Sequence, residues 1–303
     1  MNIIEFAPVL IPTLCRYEHF KRCVESLSRC TYAEKTELVI GLDYPPSEKY
    51  EEGYNKICDY LPQITGFLKV TIIRQEKNLG ARDNLTSIKE YALQHYDRFI
   101  VSEDDNEFSP NFLSFVNQGL EKYKNEPKVV AICGYNYPVS MEGYDKNNYG
   151  SFRFSAWGYG ITKDKILNLA PEKFMKYILR PDHFLKLLFK SPSHLISLFY
   201  MYRKHEIHGD ACYEMYCCIN NKVSIFPTIS KVRNWGHDGS GEHGGINPEE
   251  DLCYNQEIDT ESEFEYEEIE LRDLKLISLK KYFHKPFSWY IKKIVSKVLR
   301  CKK

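Results

Sequence analysis

Between residues 7 and 133 the chain alternates short apolar, β-rich runs with stretches whose apolar residues recur at helical spacing, and this alternation restricts the fold more than any other feature. Strands are predicted over residues 7–12, 37–42, 68–73, 99–101 and 128–133, and helices over 17–30, 47–61, 83–95 and 110–124. In the first helix Phe20, Cys23, Val24 and Leu27 fall on one face. Such spacing implies βαβ units and an α/β fold with a mostly parallel sheet flanked by helices. Right-handed crossovers then bring the carboxyl ends of the strands to one edge, where proteins of this class bind ligands. That edge would collect Thr13–Arg16, Asp43, Gly80–Arg82 and Glu103–Asp105.

The acidic triplet carries the most chemistry. The strand 99–101 runs into Glu103, Asp104 and Asp105, three carboxylates that repel one another unless a cation sits among them. Hard oxygen ligands at such a turn suit Mg²⁺ or Mn²⁺ carrying a phosphate. A solvated acidic turn would use the same residues. Ser109 and Pro110 read as the N-cap and first position of the next helix. The chain has no GxGxxG after its first strand and no GxxxxGK[ST], which argues against dehydrogenases and P-loop enzymes.

At 303 residues and 43% hydrophobic content the chain can bury the core of one large domain, and a net charge of -1 gives no basic field for nucleic acid. Its ten cysteines form no CxxC pair, which suits reduced thiols better than a disulfide framework. No signal peptide is expected, and no apolar run approaches the roughly 18–20 residues that span a bilayer. A cytoplasmic location is the resulting expectation.

The pattern changes after residue 134, so residues 1–134 read as one half of a domain, 135–248 as its second half and 249–303 as a linker and tail. Residues 151–160, with Trp157 and Gly158, look like a strand closed by a glycine-rich turn, and 163–205 look mostly helical. Gly209 and Asp210 open a further helix, and 223–226 is a short strand. The loop 234–245 holds five glycines together with His237 and His243 and is expected to act as a lid. Residues 249–270 carry eleven acids and no Lys or Arg, whereas 271–303 carry eleven Lys or Arg and one acid. From Phe287 onward Tyr290, Ile291, Ile294, Val295, Val298 and Leu299 recur at helical spacing, with Lys293, Lys297 and Arg300 on or near the other side. A basic amphipathic helix of this type lies on an anionic membrane surface or docks on its own domain.

The segment Ser102-Glu-Asp-Asp-Asn-Glu-Phe-Ser-Pro-Asn-Phe-Leu113 resembles the Glu-Asp-Asp segment of the N-acetylglucosaminyltransferase I family, among the GT-A fold glycosyltransferases and near the bacterial family 2-like group. The first strand with Thr13–Arg16, Asp43, Asn78–Arg82 and the Gly-Asp…Asn-Trp-Gly…His stretch at 209–243 add to the resemblance, which spans about residues 7–245. It implies a metal-dependent, inverting glycosyltransferase with a nucleotide-sugar donor, most simply a UDP-sugar. Residues 1–134 would bind that donor and 135–248 the acceptor. Asp105 would hold Mn²⁺ or Mg²⁺, and Glu103 and Asp104 would face the donor sugar and ribose. Asp43 would bind the uracil edge, and Thr13, Arg16 and Arg82 would border the nucleotide. Asp210 would be the base, with Glu214 one turn further on as its rival. Trp157, Gly158 and His237 would belong to the acceptor side or the lid. Animal members carry an N-terminal membrane anchor, which is not expected here, and their N-glycan acceptor is one that a cytoplasmic protein would not meet. A glycan acceptor, in the form of a lipid-linked surface polysaccharide at the inner face of a membrane, is the expectation instead.

Each of these residues has a plainer use. Asp43 is a turn former, Asp210 after Gly209 is a helix N-cap, Arg82 can start a solvated helix face, and Trp157 can fill the core. His237 and His243 with Asp238 and Glu242 lack the ligand spacing of a zinc site. Two other functions remain open. One is a sugar nucleotidyltransferase, although the glycine-rich loop expected after its first strand is missing from Ile11–Arg16. The other is a catalytically silent nucleotide-sugar or glycan-binding protein.

Overall fold

The structure, a computed structural model, describes residues 5–167, 171–204, 206–239 and 252–283. Its first half is the predicted alternation: β1 (Val9–Thr13), α1 (Tyr17–Ser28), β2 (Glu37–Leu42), α2 (Glu51–Tyr60), β3 (Lys69–Arg74), α3 (Ala81–His95) and β4 (Arg98–Val101). Next come β5 (Asn106–Phe108), α4 (Phe112–Lys122), β6 (Val129–Cys133), β7 (Asn148–Ser151) and β8 (Tyr159–Thr162). Three helices follow, α5 (Pro171–Ile178), α6 (Pro181–Lys190) and α7 (His194–Lys204). The last elements are α8 (Gly209–Asn220), β9 (Val223–Pro227), β10 (Val232–Asn234) and α9 (Ile277–Phe283).

Eight strands form one sheet in the order β3-β2-β1-β4-β8-β6-β9-β7. β1 pairs in parallel with both β2 and β4, and β2 with β3. β8 runs antiparallel between β4 and β6, and β7 antiparallel to β9, so six of the eight strands share one direction. Both sheet faces are covered, which is why β1 and β2 read as nearly continuous apolar runs. Alternate residues divide between the two layers. Val9, Ile11, Leu38 and Ile40 pack with Phe20, Val24 and Leu27 of α1 and Phe115 of α4. Leu10 and Val39 pack with Ile88 and Ala92 of α3 in the layer that also holds Met215 and Ile219 of α8. β3 lies at the edge, and the exposed Lys69 and Arg74 suit that position.

Two local expectations are corrected. The acidic triplet does not lead straight into a helix: β5 intervenes and pairs antiparallel with β10, and α4 begins at Phe112 with Asn111, not Ser109, at its N-cap. Ser109 instead donates from Oγ to Asn111 Oδ1 at 2.9 Å. The predicted strand over 151–160 is two strands, β7 and β8, separated by a loop at 152–158 that carries Trp157.

The acidic segment 252–270 does not hang free as a spacer. Tyr266 stacks on Phe115 at 5.2 Å and donates from its hydroxyl to the Phe115 carbonyl at 3.0 Å. Asn147 N–H donates to Glu267 at 2.6 Å, and Leu274 N–H to the Gly150 carbonyl at 2.9 Å. Asp259 pairs with Lys231, whose side chain is only 2% exposed, and accepts from Asn111 Nδ2 at 3.0 Å. Most of the remaining carboxylates face outward, on a strap whose Phe264 and Tyr266 are partly buried against the core. Residues 284–303, where the basic amphipathic helix is expected, lie outside the described residues. Among the described residues no helix is long and apolar enough to cross a membrane.

Removing one partner of a buried pair leaves an uncompensated charge, at about 3–5 kcal/mol. Asp259→Ala should therefore lower stability by roughly that amount, read from the urea midpoint. A loss below about 0.5 kcal/mol, the level of an ordinary surface substitution, would mean that the strap is not docked.

Candidate active site

The carboxyl ends of β1, β2 and β4 open on one mouth. Thr13, the last residue of β1, donates from Oγ1 to Asp104 Oδ2 at 2.9 Å. Arg16, in the loop that follows, bridges two of the three acids, with one nitrogen on Asp104 and Nη1 2.8 Å from Asp105 Oδ2. Burial would lower the pKa of this guanidinium, but Asp104 and Asp105 outweigh that effect and raise it. Asp105 also accepts from Asn234 Nδ2 at 2.6 Å, and its backbone carbonyl accepts from Trp235 N–H at 2.9 Å. The β5–β10 pair is what delivers Asn234 to the acids. A Cβ on Gly236 would sit 2.2 Å from Asp105 Oδ2, so only glycine fits there. The sequence places Asn234 and Gly236 in the glycine-rich loop but does not bring them to Asp105, because the pairing of β10 with β5 is non-local.

Asp43 takes a different part. Its Oδ1 accepts from Tyr44 N–H at 2.9 Å and Leu79 N–H at 2.8 Å, and its Oδ2 from Asn78 Nδ2 at 3.2 Å and Gly80 N–H at 2.8 Å. Four donors fill the four lone-pair sites of a carboxylate. Asp43 clamps the loop 78–80, and Gly80 with φ +78° starts α3 from it. Arg82 lies exposed in the first turn of α3, near enough to Cys212 of α8 to act on its thiol.

The second half contributes the N-terminus of α8. Asp210 is open to solvent there, although protein surrounds it on most sides, as for a group at the floor of a cleft. Burial pushes its carboxyl up to about 7, and Glu214 adds to the shift, while Ala156 N–H and Lys89 oppose it. Glu103 is pushed up to about 8 by burial first, then by Asp105, Asp210 and Asp104. The same interactions set Asp210 in the neighbourhood of the triplet. Lys89 of α3, not singled out in the sequence, is lowered by burial while Tyr213 and Asp210 pull its pKa up.

Glu214 is occupied. It accepts from His194 Nε2 at 2.5 Å, Arg153 Nη1 at 3.0 Å and Phe154 N–H at 3.2 Å. Burial would raise its pKa, but His194 and Arg153 together hold it below the usual carboxylate value. Trp157 packs edge-on against Tyr135 at 4.6 Å and His237 at 5.4 Å. Gly158, φ +69°, lets its strand end close on Phe112 and Val232, each 2.9 Å from where a Cβ would stand. Residues 234–239 of the expected lid thus lie beside the acids, whereas 240–245, with His243, fall outside the described residues. Next to Arg16, a cleft of about 330 Å³ opens between α1 and α2, lined by Tyr17, His19, Glu52, Gly53 and Lys56 among others.

Four interacting carboxylates, Glu103, Asp104, Asp105 and Asp210, face two cations, Arg16 and Lys89. That surplus of negative charge suits a divalent ion. Among the described residues no three His, Cys, Asp or Glu side chains converge to hold one unaided. Asp105, with two donors on its carboxylate, keeps lone pairs that Asp43 has spent. The donor set fits an ion that takes one or two protein oxygens and completes its shell with phosphate and water.

No model of a known protein family matches the chain, and no curated protein does. Among solved structures it is similar to a mannosyltransferase of Pyrobaculum calidifontis in complex with GDP-Man and Mn²⁺, at 12% identity over 57% of this chain and 46% of that one, TM-score 0.36. It is also similar to S. aureus TarS with UDP-GlcNAc, at 11% identity over 52% and 45% of the two chains, TM-score 0.37. A third is GalNAc-T7 with UDP, GalNAc and Mn²⁺, at 11% identity over 77% and 44%, TM-score 0.43. The chain spans less than half the length of each of these three. Their donors and metals are properties of those proteins.

Because Glu214 anchors α8 rather than facing the mouth, Glu214→Ala should destabilise by about 3–5 kcal/mol, as loss of one partner of a buried charge pair does. Its pKa is lowered on folding, so its contribution is present above the usual carboxylate range and fades as pH falls through the folded value. The wild-type minus variant difference in unfolding free energy should therefore shrink between neutral and acid pH. A difference that grows toward acid would contradict the ion-paired state.

Proposed function

We propose that the chain is a GT-A-type glycosyltransferase that moves a sugar from a nucleotide-sugar donor, a UDP-sugar on the sequence resemblance, to a hydroxyl of a glycan acceptor with inversion. The observation that supports this reading is the pairing of an acidic cluster at the β4–β5 turn, where Arg16 bridges Asp104 and Asp105, with a solvent-reachable carboxylate, Asp210, at the head of α8. In one displacement the acceptor oxygen bonds to C1 of the sugar, the bond from C1 to the diphosphate oxygen breaks, and that electron pair leaves with the nucleotide. Asp210 takes the proton of the attacking hydroxyl, for which a value near 7 is well matched to neutral pH. With one base and no carboxylate nucleophile, the anomeric centre inverts.

The other residues position. Arg16 holds Asp104 and Asp105 in place and borders the diphosphate, with Thr13 fixing Asp104. Glu103, neutral below about 8, can donate a hydrogen bond to a donor sugar hydroxyl. Asp43 keeps loop 78–80 closed, and Arg82 follows it in the first turn of α3, where it would border the nucleotide. Trp157 and His237, in edge-on contact, would offer the acceptor aromatic rings to stack on. Bound at Asp105, Mg²⁺ or Mn²⁺ would neutralise charge on the departing diphosphate.

A thermal-shift screen of UDP- and GDP-sugars with and without Mn²⁺ tests the donor site, because only a ligand that binds the folded state raises its stability. Asp105→Ala should remove the Mn²⁺-dependent part of the shift and leave the fold intact. A shift that chelator does not change would remove metal from the proposal. Nucleotide-sugar binding without transfer or slow donor hydrolysis would support the silent binding protein instead.

Asp210→Asn keeps the shape and capping ability of the side chain but cannot take the proton. Turnover should fall by roughly 10²–10⁴, with donor binding nearly unchanged. Asp210 must be ionised to act, so kcat/KM should climb with pH toward about 7 and flatten above it in the wild type. Full activity of Asp210→Asn with the same pH profile would exclude it as the base.

A further inference from the structure

We infer that helices α6 and α7 form a membrane-docking face, with an anionic bilayer surface as its partner. Helix α6 buries one stripe only, His183 and Leu187, one turn apart. Its remaining apolar residues point outward: Phe184, Leu185, Leu188 and Phe189, the last 81% exposed. Phe199 and Tyr202 of α7 add two more exposed rings, and Leu179 before α6 another apolar side chain. A helix that is apolar beyond the stripe it buries has a second partner, and so many large apolar side chains in one stretch exceed the scattered exposure of a normal surface.

The charge around the patch says what that partner is. Residues 171–204 hold seven Lys or Arg against two acids, Glu172 and Asp182. Arg180 pairs with Asp182, but Lys173, Lys176, Arg203 and Lys204 form no ion pair among the described residues. Exposed Phe, Leu and Tyr framed by unpaired Lys and Arg are what an anionic membrane interface selects. The chain's own segment 284–303 is a poor occupant, because it is itself basic and would meet like charge. The surface is also connected to the candidate site. α6 and α7 both pack on α8, and α7 leads through residues 206–208 to Asp210 at the head of α8. A docked protein would hold that mouth near the bilayer, where an acceptor on a lipid carrier is found. Vesicle binding itself needs no catalysis, so this inference stands or falls separately from the proposed transfer reaction.

The test is partition of the full chain onto vesicles of phosphatidylcholine with and without phosphatidylglycerol. Binding should need the anionic lipid and weaken as salt is raised, since exposed charges are screened. Leu185→Ser with Phe189→Ser changes two exposed side chains, so the melting temperature should stay while the partition coefficient falls at least about tenfold, equivalent to 1.4 kcal/mol. Neutralising Lys292, Lys293, Lys297 and Arg300 to Gln in the full chain should leave most of the binding. If the tail variant loses binding and the Leu185/Phe189 variant keeps it, the tail is the anchor and the inference fails. It fails equally if the protein ignores anionic vesicles, or if light scattering finds a dimer that Phe189→Ser dissolves and no lipid binding.

Discussion

One guanidinium holds the acidic side of the mouth together. Arg16 reaches across from the β1–α1 loop to Asp104 and Asp105 in the β4–β5 turn, and Thr13 adds a neutral donor from the end of β1. These contacts join loops that adjacent parallel strands bring side by side. Without Arg16, three consecutive acids and Asp210 would face one another with Lys89 as the cation acting on Asp210 among the described residues. With it they remain in excess, which adds to the burial that holds the Glu103 carboxyl neutral up to about 8. A site that stores unneutralised charge in this way is unfavourable by itself and becomes favourable when a cation or a hydrogen-bonding sugar enters. Such perturbed groups cluster where chemistry is done.

How much of this could be read in the chain follows from the range of the interactions. The α/β alternation was legible because each β–α step has its own local periodicity, and the convergence of Thr13, Arg16, Asp43 and the triplet followed from parallel topology alone. The role of Asp43 was not, since its four donors come from residues 44 and 78–80 and depend on how that loop closes. Glu214 and Asp210 could not be told apart either. Only the buried Arg153 and His194, distant in sequence, show that one carboxylate is spent on structure and the other left open. The misplaced start of α4 has a similar cause: Ser109-Pro110 is a good local helix start, but β10 captures 106–108 as a strand first.

The strap of residues 252–283 shows the same limit of composition. Its run of acids reads as a solvated linker, and the acids are indeed mostly turned outward. What sequence composition hides is the alternating Phe264, Tyr266 and Ile269, which pack on the α4 layer of the core. An extended segment can bury one side chain in two while its charged neighbours stay in water. Lys231 and Asp259 then lock it where β10 begins, so the strap supports the strand that delivers Asn234 to Asp105.

The same reasoning explains the state of Asp210. At the head of α8 the helix dipole favours its ionised form, by about 0.3–1 kcal/mol. Burial and the charge of Glu214 act the other way and carry the carboxyl from 3.8 to about 7, so the larger effect wins. Glu214 is therefore more than a tether. Pinned by His194 of α7 and Arg153 in the Trp157 loop, it stays ionised one turn below Asp210 and raises the basicity of that group. The ion pair that fixes α8 to its neighbours also sets the proton affinity at its exposed end, which couples the packing of the helical layer to the chemistry of the mouth.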